Sequence, residues 1–394
     1  MSDDAPVSDD APLGGDMLQV EEIRDAAGVE ALVPAWRRLA AEAARSPFES
    51  PDWLVPWWRT YGAGEMEPRL LAWRAGGRLA AVAPLARRDL RRFGRPIREL
   101  AFWAGGGSLL SGCVDLLAVE ADRPAALAGL GAWLQAPGND WDVLHFLRLP
   151  YGSSSAGALR AWADTAPWRY LSLTGAFRSE TFTIDLPADA AGWHGHLGPK
   201  ARHNMRREVR LFARERGGTI ERVVDAAAAG ELVAALERLM GRHWGDEEKY
   251  FRHDPAFGGF AVEALTAMLL SGSAYAFVAR DGGGIRACLV NFALGGRAVA
   301  VLIGVDRDPA FRAFSLGKNL FDAAIDEAVA RGCRSYDFLW VGGYKETFWH
   351  AAPRRLESGL VARGTTGALV AAYAAMRRLA LPRLARALRR RPAA

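Results

Sequence analysis

The 394-residue sequence has few cysteines and no long apolar run. Cys113, Cys288 and Cys333 lie far apart without a CxxC pair, so neither a disulfide framework nor a zinc site is indicated. No stretch approaches about 18 uninterrupted apolar residues, the length that a membrane-spanning helix requires. The N-terminus lacks the apolar segment of a secretory signal. These absences predict a protein of the reducing cytoplasm.

Several catalytic and binding motifs are missing as well. The segment around Gly317 has neither GxGxxG nor GxxxxGK[ST], so a Rossmann or P-loop site has no support. A GxSxG elbow and a catalytic Cys–His pattern are also lacking, which favours direct group transfer over a covalent enzyme intermediate. His194 and His196 alternate without a third ligand nearby, and we therefore predict no metal.

The length of 394 residues allows two domains. The composition predicts a soluble globular protein, because 50% of the residues are apolar and 24% are charged. The charge is uneven. Residues 1–16 contain five aspartates and no basic residue, and we expect a disordered acidic tail there. Residues 365–394 combine Ala and Leu with many arginines and predict a basic amphipathic helical tail. That tail would either be solvated or contact the inner face of a membrane peripherally.

The most informative segment runs from residue 299 to residue 345. An apolar strand (AVAVLIGVD) is followed by a helical pattern that starts near SLGK, then by a second strand (SYDFLWV) and by GGYKETFW. Ser315 to Lys318 therefore lie at a helix N-terminus directly after a strand. The unpaired N–H groups and positive dipole of such an end suit a phosphate-bearing ligand. A purely structural helix start is the alternative.

The two halves of the chain contain matching local patterns. WRAGGRLAA corresponds to ARDGGGIRA, and DWDVLHF corresponds to SYDFLWV, each match following the same kind of element. Similar order at a near-constant offset indicates two copies of one α/β unit joined near residues 172–181, although convergent hairpins would produce the same likeness. We therefore predict domains at 17–175 and 176–364.

These motifs, taken in order, resemble the GNAT acyltransferases. SPFESPDWLVPWW, GPKARHNMRREVR, SLGKNLFDAAIDEAVARG and YDFLWVGGYKETFW are similar to the CelD-type acetyltransferases linked to bacterial cellulose biosynthesis, over roughly residues 18–362. That family is related to the Fem-type aminoacyl transferases. The resemblance implies an α/β fold of two tandem GNAT-like domains, each a mixed, mainly antiparallel sheet flanked by helices. The first would shape a non-catalytic acceptor groove and the second would bind the acyl donor and catalyse transfer.

The resemblance also implies a donor site. Acetyl-CoA or another acyl-CoA would lie between two central strands of the second domain. Its pyrophosphate would meet the backbone N–H groups of Ser315, Leu316, Gly317 and Lys318. The usual GNAT turn is longer and richer in Arg and Gly, whereas here only Gly317 remains, so a different activated donor stays open.

Three residues are candidates for catalysis. A carboxylate such as Asp337 in an apolar strand needs a partner, or has its pKa raised toward the range of a general base. Asp142, its counterpart in the first half, favours the structural alternative. The resemblance implies that Lys345 stabilises donor phosphate or the oxyanion and that Tyr344 protonates the leaving thiolate. A solvated lysine and a packed tyrosine are the alternatives.

Acceptor-binding residues are predicted in two places. Arg202 and Arg206 lie on one face of a strongly basic helix, which would be either a solvated face or a wall for an anionic substrate. Trp244 and Glu247 belong to a charged loop that resembles an acceptor-binding loop by position. No aromatic interleaving supports sequence-specific nucleic-acid recognition.

Three functions follow as hypotheses. The first is an N- or O-acyltransferase that moves an acyl group from acyl-CoA to a small-molecule or glycan acceptor in exopolysaccharide, cellulose or cell-envelope synthesis. The second is a Fem-like transferase that uses aminoacyl-tRNA. The third is a non-catalytic accessory protein of polysaccharide synthesis. All three would act in the cytoplasm or at the inner face of the membrane.

Overall fold

Two successive series of strands and helices make up the chain. The computed structural model describes residues 18–92, 94–104, 114–164, 168–174, 179–189, 193, 196–241, 254–340 and 343–373. The first series comprises β1 (Gln19–Ile23), α1 (Ala26–Ala43), α2 (Pro51–Trp57), β2 (Glu67–Ala75), β3 (Arg78–Arg92), β4 (Arg95–Phe102), β5 (Leu117–Ala118), α3 (Arg123–Gln135), β6 (Val143–Pro150), α4 (Ser154–Asp164) and β7 (Trp168–Ser172).

The second series repeats this order after two leading elements. It comprises β8 (Glu180–Asp185), α5 (Pro199–Arg216), β9 (Thr219–Val223), α6 (Ala229–Gly241), α7 (Phe257–Leu270), β10 (Ala274–Asp281), β11 (Gly284–Leu294), β12 (Arg297–Val305), α8 (Leu316–Ala330), β13 (Ser335–Asp337), α9 (Tyr344–Trp349) and β14 (Ala352–Arg363). In each series two helices precede an antiparallel meander, and a further helix leads to a strand parallel to the meander's last strand. These parallel pairs are β4–β6 and β12–β13.

The meander turns lie where glycine pairs predict them. Gly295 and Gly296, with φ of 62° and 73°, connect β11 to β12. A two-residue turn with both φ values positive matches the right-handed twist of the two strands, which is why glycine occupies it. The predicted hairpin between β2 and β3 has the same kind of turn, with positive φ at Gly76 and Gly77. The predicted hairpin between β10 and β11 is also confirmed, with positive φ at Gly284.

One strand joins the two series into a single sheet. The start of β14 pairs with β8, and the rest of β14 pairs with β6 and β7. The resulting 14-stranded sheet has the order β1-β2-β3-β4-β6-β14-β8-β13-β12-β11-β10-β9, with β5 on β3 and β7 on β14. The fold is therefore the predicted mixed, mainly antiparallel α/β architecture. β14, the last strand in the predicted second domain (176–364), therefore also pairs with β6 and β7 of the first half.

The two halves also share a core. Trp53 of α2 packs edge-on against Phe260 of α7 and Phe292 of β11, with ring centroids 4.8 Å and 5.4 Å apart. Trp53, Trp57 and Trp58 are all buried, so the core reading of WLVPWW is confirmed. Burying aromatic rings on both sides of this contact stabilises the association of the halves.

The predicted tails lie largely outside the described residues. Residues 364–373 are helical, whereas 1–17 and 374–394 are not described. Among the helices that are described, none combines the length and the apolar character needed to cross a bilayer.

Candidate functional site

The pairing of β12 with β13 is short, and the space between the two segments beyond it is called the cleft here. The two strands pair in parallel only from Arg297 opposite Ser335 to Val299 opposite Asp337, whereas β12 continues to Val305. Beyond Asp337 the chain stays with β8, because the N–H of Phe338 donates to the carbonyl of Phe182 at 2.8 Å. The remaining part of β12 therefore diverges from its neighbour.

A bulge in β12 coincides with the start of this divergence. Ala300 lies opposite Asn291 and Leu302 lies opposite Val290, which leaves Val301 as an extra residue. Bulges bend a strand and interrupt its ladder, and they are frequent beside active sites. The continuous apolar run AVAVLIGV has no feature that predicts a bulge, so sequence reasoning missed Val301.

The predicted phosphate turn lies at the open end of the cleft. A 3₁₀ segment (Pro309–Phe314) leads into Ser315, whose φ of 46° and ψ of 44° are left-handed, and α8 begins at Leu316. A Cβ on Gly317 would lie 3.1 Å from Cγ2 of Val305, the last residue of β12. Two of the four predicted donors already bond within the turn, because the N–H of Ser315 donates to the carbonyl of Arg312 at 3.3 Å and that of Lys318 donates to the carbonyl of Ser315 at 3.0 Å. The N–H groups of Leu316 and Gly317, at the first two positions of α8, lack acceptors in the preceding turn of the helix.

Lys318, the lysine of this turn, forms an ion pair with a carboxylate of the protein. Lys318 Nζ lies 2.7 Å from Oε2 of Glu208 on α5, and Asn319 Nδ2 donates to the same oxygen at 3.3 Å. Lys318 also lies over the ring of Phe348 on α9, 5.6 Å from its centroid. Contacts from α5 and α9 therefore converge on the predicted turn.

Asp337 is completely buried and forms an ion pair with Arg297. Its other oxygen accepts a hydrogen bond from the N–H of Leu339 at 2.7 Å. The first half contains a comparable pair, in which Arg98 donates to both oxygens of Asp142. Burial works to raise the pKa of Asp142, but the hydrogen bonds from Arg98 outweigh it and lower that pKa. The recurrence favours a structural role for both aspartates.

Lys345 and Tyr344 begin α9, beside the end of β13. Lys345 Nζ donates to the carbonyl of Phe338 at 3.0 Å and lies 5.4 Å from the ring centroid of Phe321. Tyr344 is 49% exposed and stacks on Phe348, with centroids 5.2 Å apart. Burial and the charge of Glu208 raise the pKa of Tyr344. The fold thus brings Tyr344 close to the phosphate turn, through Phe348, and Lys345 to Phe338, the residue that follows Asp337.

Arg202 and Arg206 lie in a groove that reaches the cluster at Asn319. This groove of about 430 Å³ lies between α5 and α8, and Asp322 and Asp326 form its opposite wall. Trp244 and Glu247 lie outside the described residues. Within the described ranges, no group of three or more His, Cys, Asp or Glu residues could hold a metal ion.

Comparison with known proteins gives a family match within the second half of the chain. Residues 199–348 match the family model of the acetyltransferase (GNAT) domain. This range contains the cleft, the phosphate turn and α9 up to Phe348. This range is therefore similar to a GNAT acetyltransferase domain. A search of curated proteins gave no significant match.

Two solved structures, FemX and a Bacteroides protein, agree with this chain at the level of the fold. FemX is 11% identical with a TM-score of 0.57, and the match covers 86% of this chain and 96% of that one. A conserved protein of unknown function from Bacteroides thetaiotaomicron is 9% identical with a TM-score of 0.50, covering 88% and 100%. A tandem GNAT protein from the clavulanic acid pathway is 15% identical with a TM-score of 0.44, covering 87% and 98%.

Proposed function

We propose that the protein transfers an acyl group from an acyl-CoA to an amine or hydroxyl acceptor. The observation that carries the proposal is the cleft between β12 and β13, which begins at a bulge and ends on the first turn of α8. This cleft lies inside the region that matches the GNAT acetyltransferase domain. Such a cleft would accommodate an extended acyl-thioester arm, and the helix end beyond it would bind the anionic part of the donor.

The residues of the turn fit a diphosphate through their backbone. Ser315 adopts the left-handed conformation that glycine usually takes, and Gly317 allows α8 to approach β12 closely. The N–H groups of Leu316 and Gly317 would hold the phosphates. Lys318 would contribute less, because Glu208 already neutralises it.

Transfer would be direct. The acceptor nitrogen or oxygen attacks the acyl carbon, the carbon–sulfur bond breaks and the sulfur leaves as a thiolate. Tyr344 would protonate that thiolate from its phenol, although burial and the charge of Glu208 raise its pKa and make it a weaker acid. Lys345 would stabilise negative charge on the donor phosphate or on the oxyanion. Asp337 would either accept the proton of the acceptor directly or have a structural role through its ion pair with Arg297.

The acceptor would be a small molecule or a glycan of exopolysaccharide, cellulose or cell-envelope synthesis. Arg202 and Arg206, with Trp244 and Glu247, would bind it. The protein would act in the cytoplasm, where the basic tail could reach the inner face of the membrane. The CelD-type motifs of the sequence support this acceptor class.

A Fem-like activity with aminoacyl-tRNA as donor is the second candidate. The fold similarity to FemX supports it, as does the exposed basic surface of α5, which includes Arg206, Arg207 and Arg210. Cations in such a row attract nucleic-acid phosphates without reading sequence.

Thermal stabilisation separates these candidates. A bound donor raises the unfolding midpoint, so acetyl-CoA should stabilise the wild-type protein and stabilise Lys345→Ala less. Lys200→Ala, which removes an exposed lysine on α5, is the matched control and should behave like the wild type. Stabilisation by aminoacyl-tRNA alone would favour the Fem-like activity. No shift with either donor would overturn both and leave the accessory role.

A further inference from the structure

A largely buried ion pair joins α5 to the first turn of α8. Lys318 Nζ lies 2.9 Å and 2.7 Å from the two carboxylate oxygens of Glu208, and the side chains are 16% and 13% exposed. Asn319 ties this carboxylate to the turn, because its Nδ2 also donates to the carbonyl of Phe314 at 2.9 Å. The protein thus places its own carboxylate at the end of α8 that favours an anion.

The side chains around this pair form the mouth of the cleft. Phe348 lies beneath Lys318 and stacks on Tyr344, so α9 reaches the same place from the other side. The carboxylate of Glu208 is close enough to Tyr344 for its charge to add to burial in raising the pKa of that phenol. A phosphate held by the N–H groups of Leu316 and Gly317 would therefore lie near the charge of Glu208.

We propose that Glu208 determines donor specificity by weakening the binding of donors in proportion to their phosphate charge. This inference rests on the proposed acyl-CoA function. Glu208 cancels the positive charge of Lys318 and leaves the backbone N–H groups to hold the phosphates. Each further phosphate on the donor adds repulsion in a partly dehydrated site, where charges interact more strongly than in water.

The test compares three thioesters that differ in phosphate charge: acetyl-CoA, acetyl-dephospho-CoA and acetyl-pantetheine. Glu208→Gln keeps an oxygen that accepts from Lys318 but removes the negative charge. This variant should lower the KM for acetyl-CoA about tenfold and the KM for acetyl-dephospho-CoA by a smaller factor. The KM for acetyl-pantetheine should not change. The gain should shrink as salt is added. Glu215→Gln, on an exposed part of the same helix, is the control and should change no KM.

Lys318→Gln provides a second measurement if Glu208→Gln folds poorly. It retains the carboxylate without its partner and should raise the KM for acetyl-CoA, again without effect on acetyl-pantetheine. An unchanged or higher KM for acetyl-CoA in Glu208→Gln, or an equal change for acetyl-pantetheine, would overturn the inference. Failure of the wild type to use any of the three thioesters would instead overturn the proposed function.

Discussion

Arg297 and Asp337 form a buried ion pair at the last point where β12 and β13 run together. Asp337 is completely buried, and its second carboxylate oxygen accepts a hydrogen bond from the N–H of Leu339. The pair fastens the two strands immediately before they diverge. It therefore supports the base of the cleft, and it gives Asp337 a structural role that competes with its proposed role as a base.

Replacing Asp337 separates these roles. Asp337→Asn breaks the ion pair with Arg297 at a completely buried position and should cost about 3 kcal/mol of unfolding free energy, measured by chemical denaturation. The double variant Asp337→Asn/Arg297→Met removes both charges and should recover much of that loss. Return of acyl transfer in the double variant would identify a structural aspartate. Recovered stability with kcat still lost would identify a catalytic one.

Ser315 is predicted to tolerate glycine but not valine. Its left-handed backbone is strained for most residues, so Ser315→Gly should raise stability by up to about 1 kcal/mol and preserve acetyl-CoA binding. Ser315→Val places a β-branched side chain there and should lose about 1–3 kcal/mol and weaken donor binding. Thermal unfolding with and without acetyl-CoA measures both effects. Equal behaviour of the two variants would contradict the role of this conformation.

The contact between the halves depends on Gly295. A Cβ at this position would lie 1.8 Å from the carbonyl oxygen of Ala44 at the end of α1, and the φ of 62° disfavours any side chain. Gly295→Ala should therefore destabilise the protein by about 2 kcal/mol or more and lower its melting temperature. The control is Gly230→Ala in α6, where a Cβ meets nothing within 4 Å and stability should not fall. Similar melting temperatures for both variants would refute the close contact.

Stability should fall from mildly acidic to mildly alkaline pH because of Glu49. Burial, augmented by the charge of Asp115, raises the pKa of Glu49 from 4.5 to about 8. The folded state binds this proton more tightly than the unfolded chain, so the stabilisation is complete below 4.5 and is lost as pH rises through about 8.

Denaturation at several pH values between 5 and 8 checks this. The wild type should lose up to about 1.4 kcal/mol per pH unit through Glu49. Glu49→Gln removes this contribution and should have a flatter profile. Parallel profiles for the two proteins would show that Glu49 does not titrate in this window.

Local patterns predicted the elements of the site but not their convergence. The strand–turn–helix order of residues 299–330 and the hairpin glycines were readable because periodicity and turn chemistry act over a few residues. The partners of two site residues could not be predicted in this way, because they are distant in sequence. Arg297 is 40 residues from Asp337, and Glu208 is 110 residues from Lys318. The pairing of β14 with strands of both halves is equally non-local.

The sequence by itself determined that the chain repeats one α/β unit and that a helix begins at SLGK after an apolar strand. Hydrophobic period, glycine pairs and helix-start residues specify these features wherever the segment lies. Only the tertiary structure decided that β12 bulges and leaves β13, that Glu208 neutralises Lys318, and that one strand closes both halves. These features arise from competition among distant segments for the same hydrogen-bonding edges and counter-charges, which no local pattern encodes.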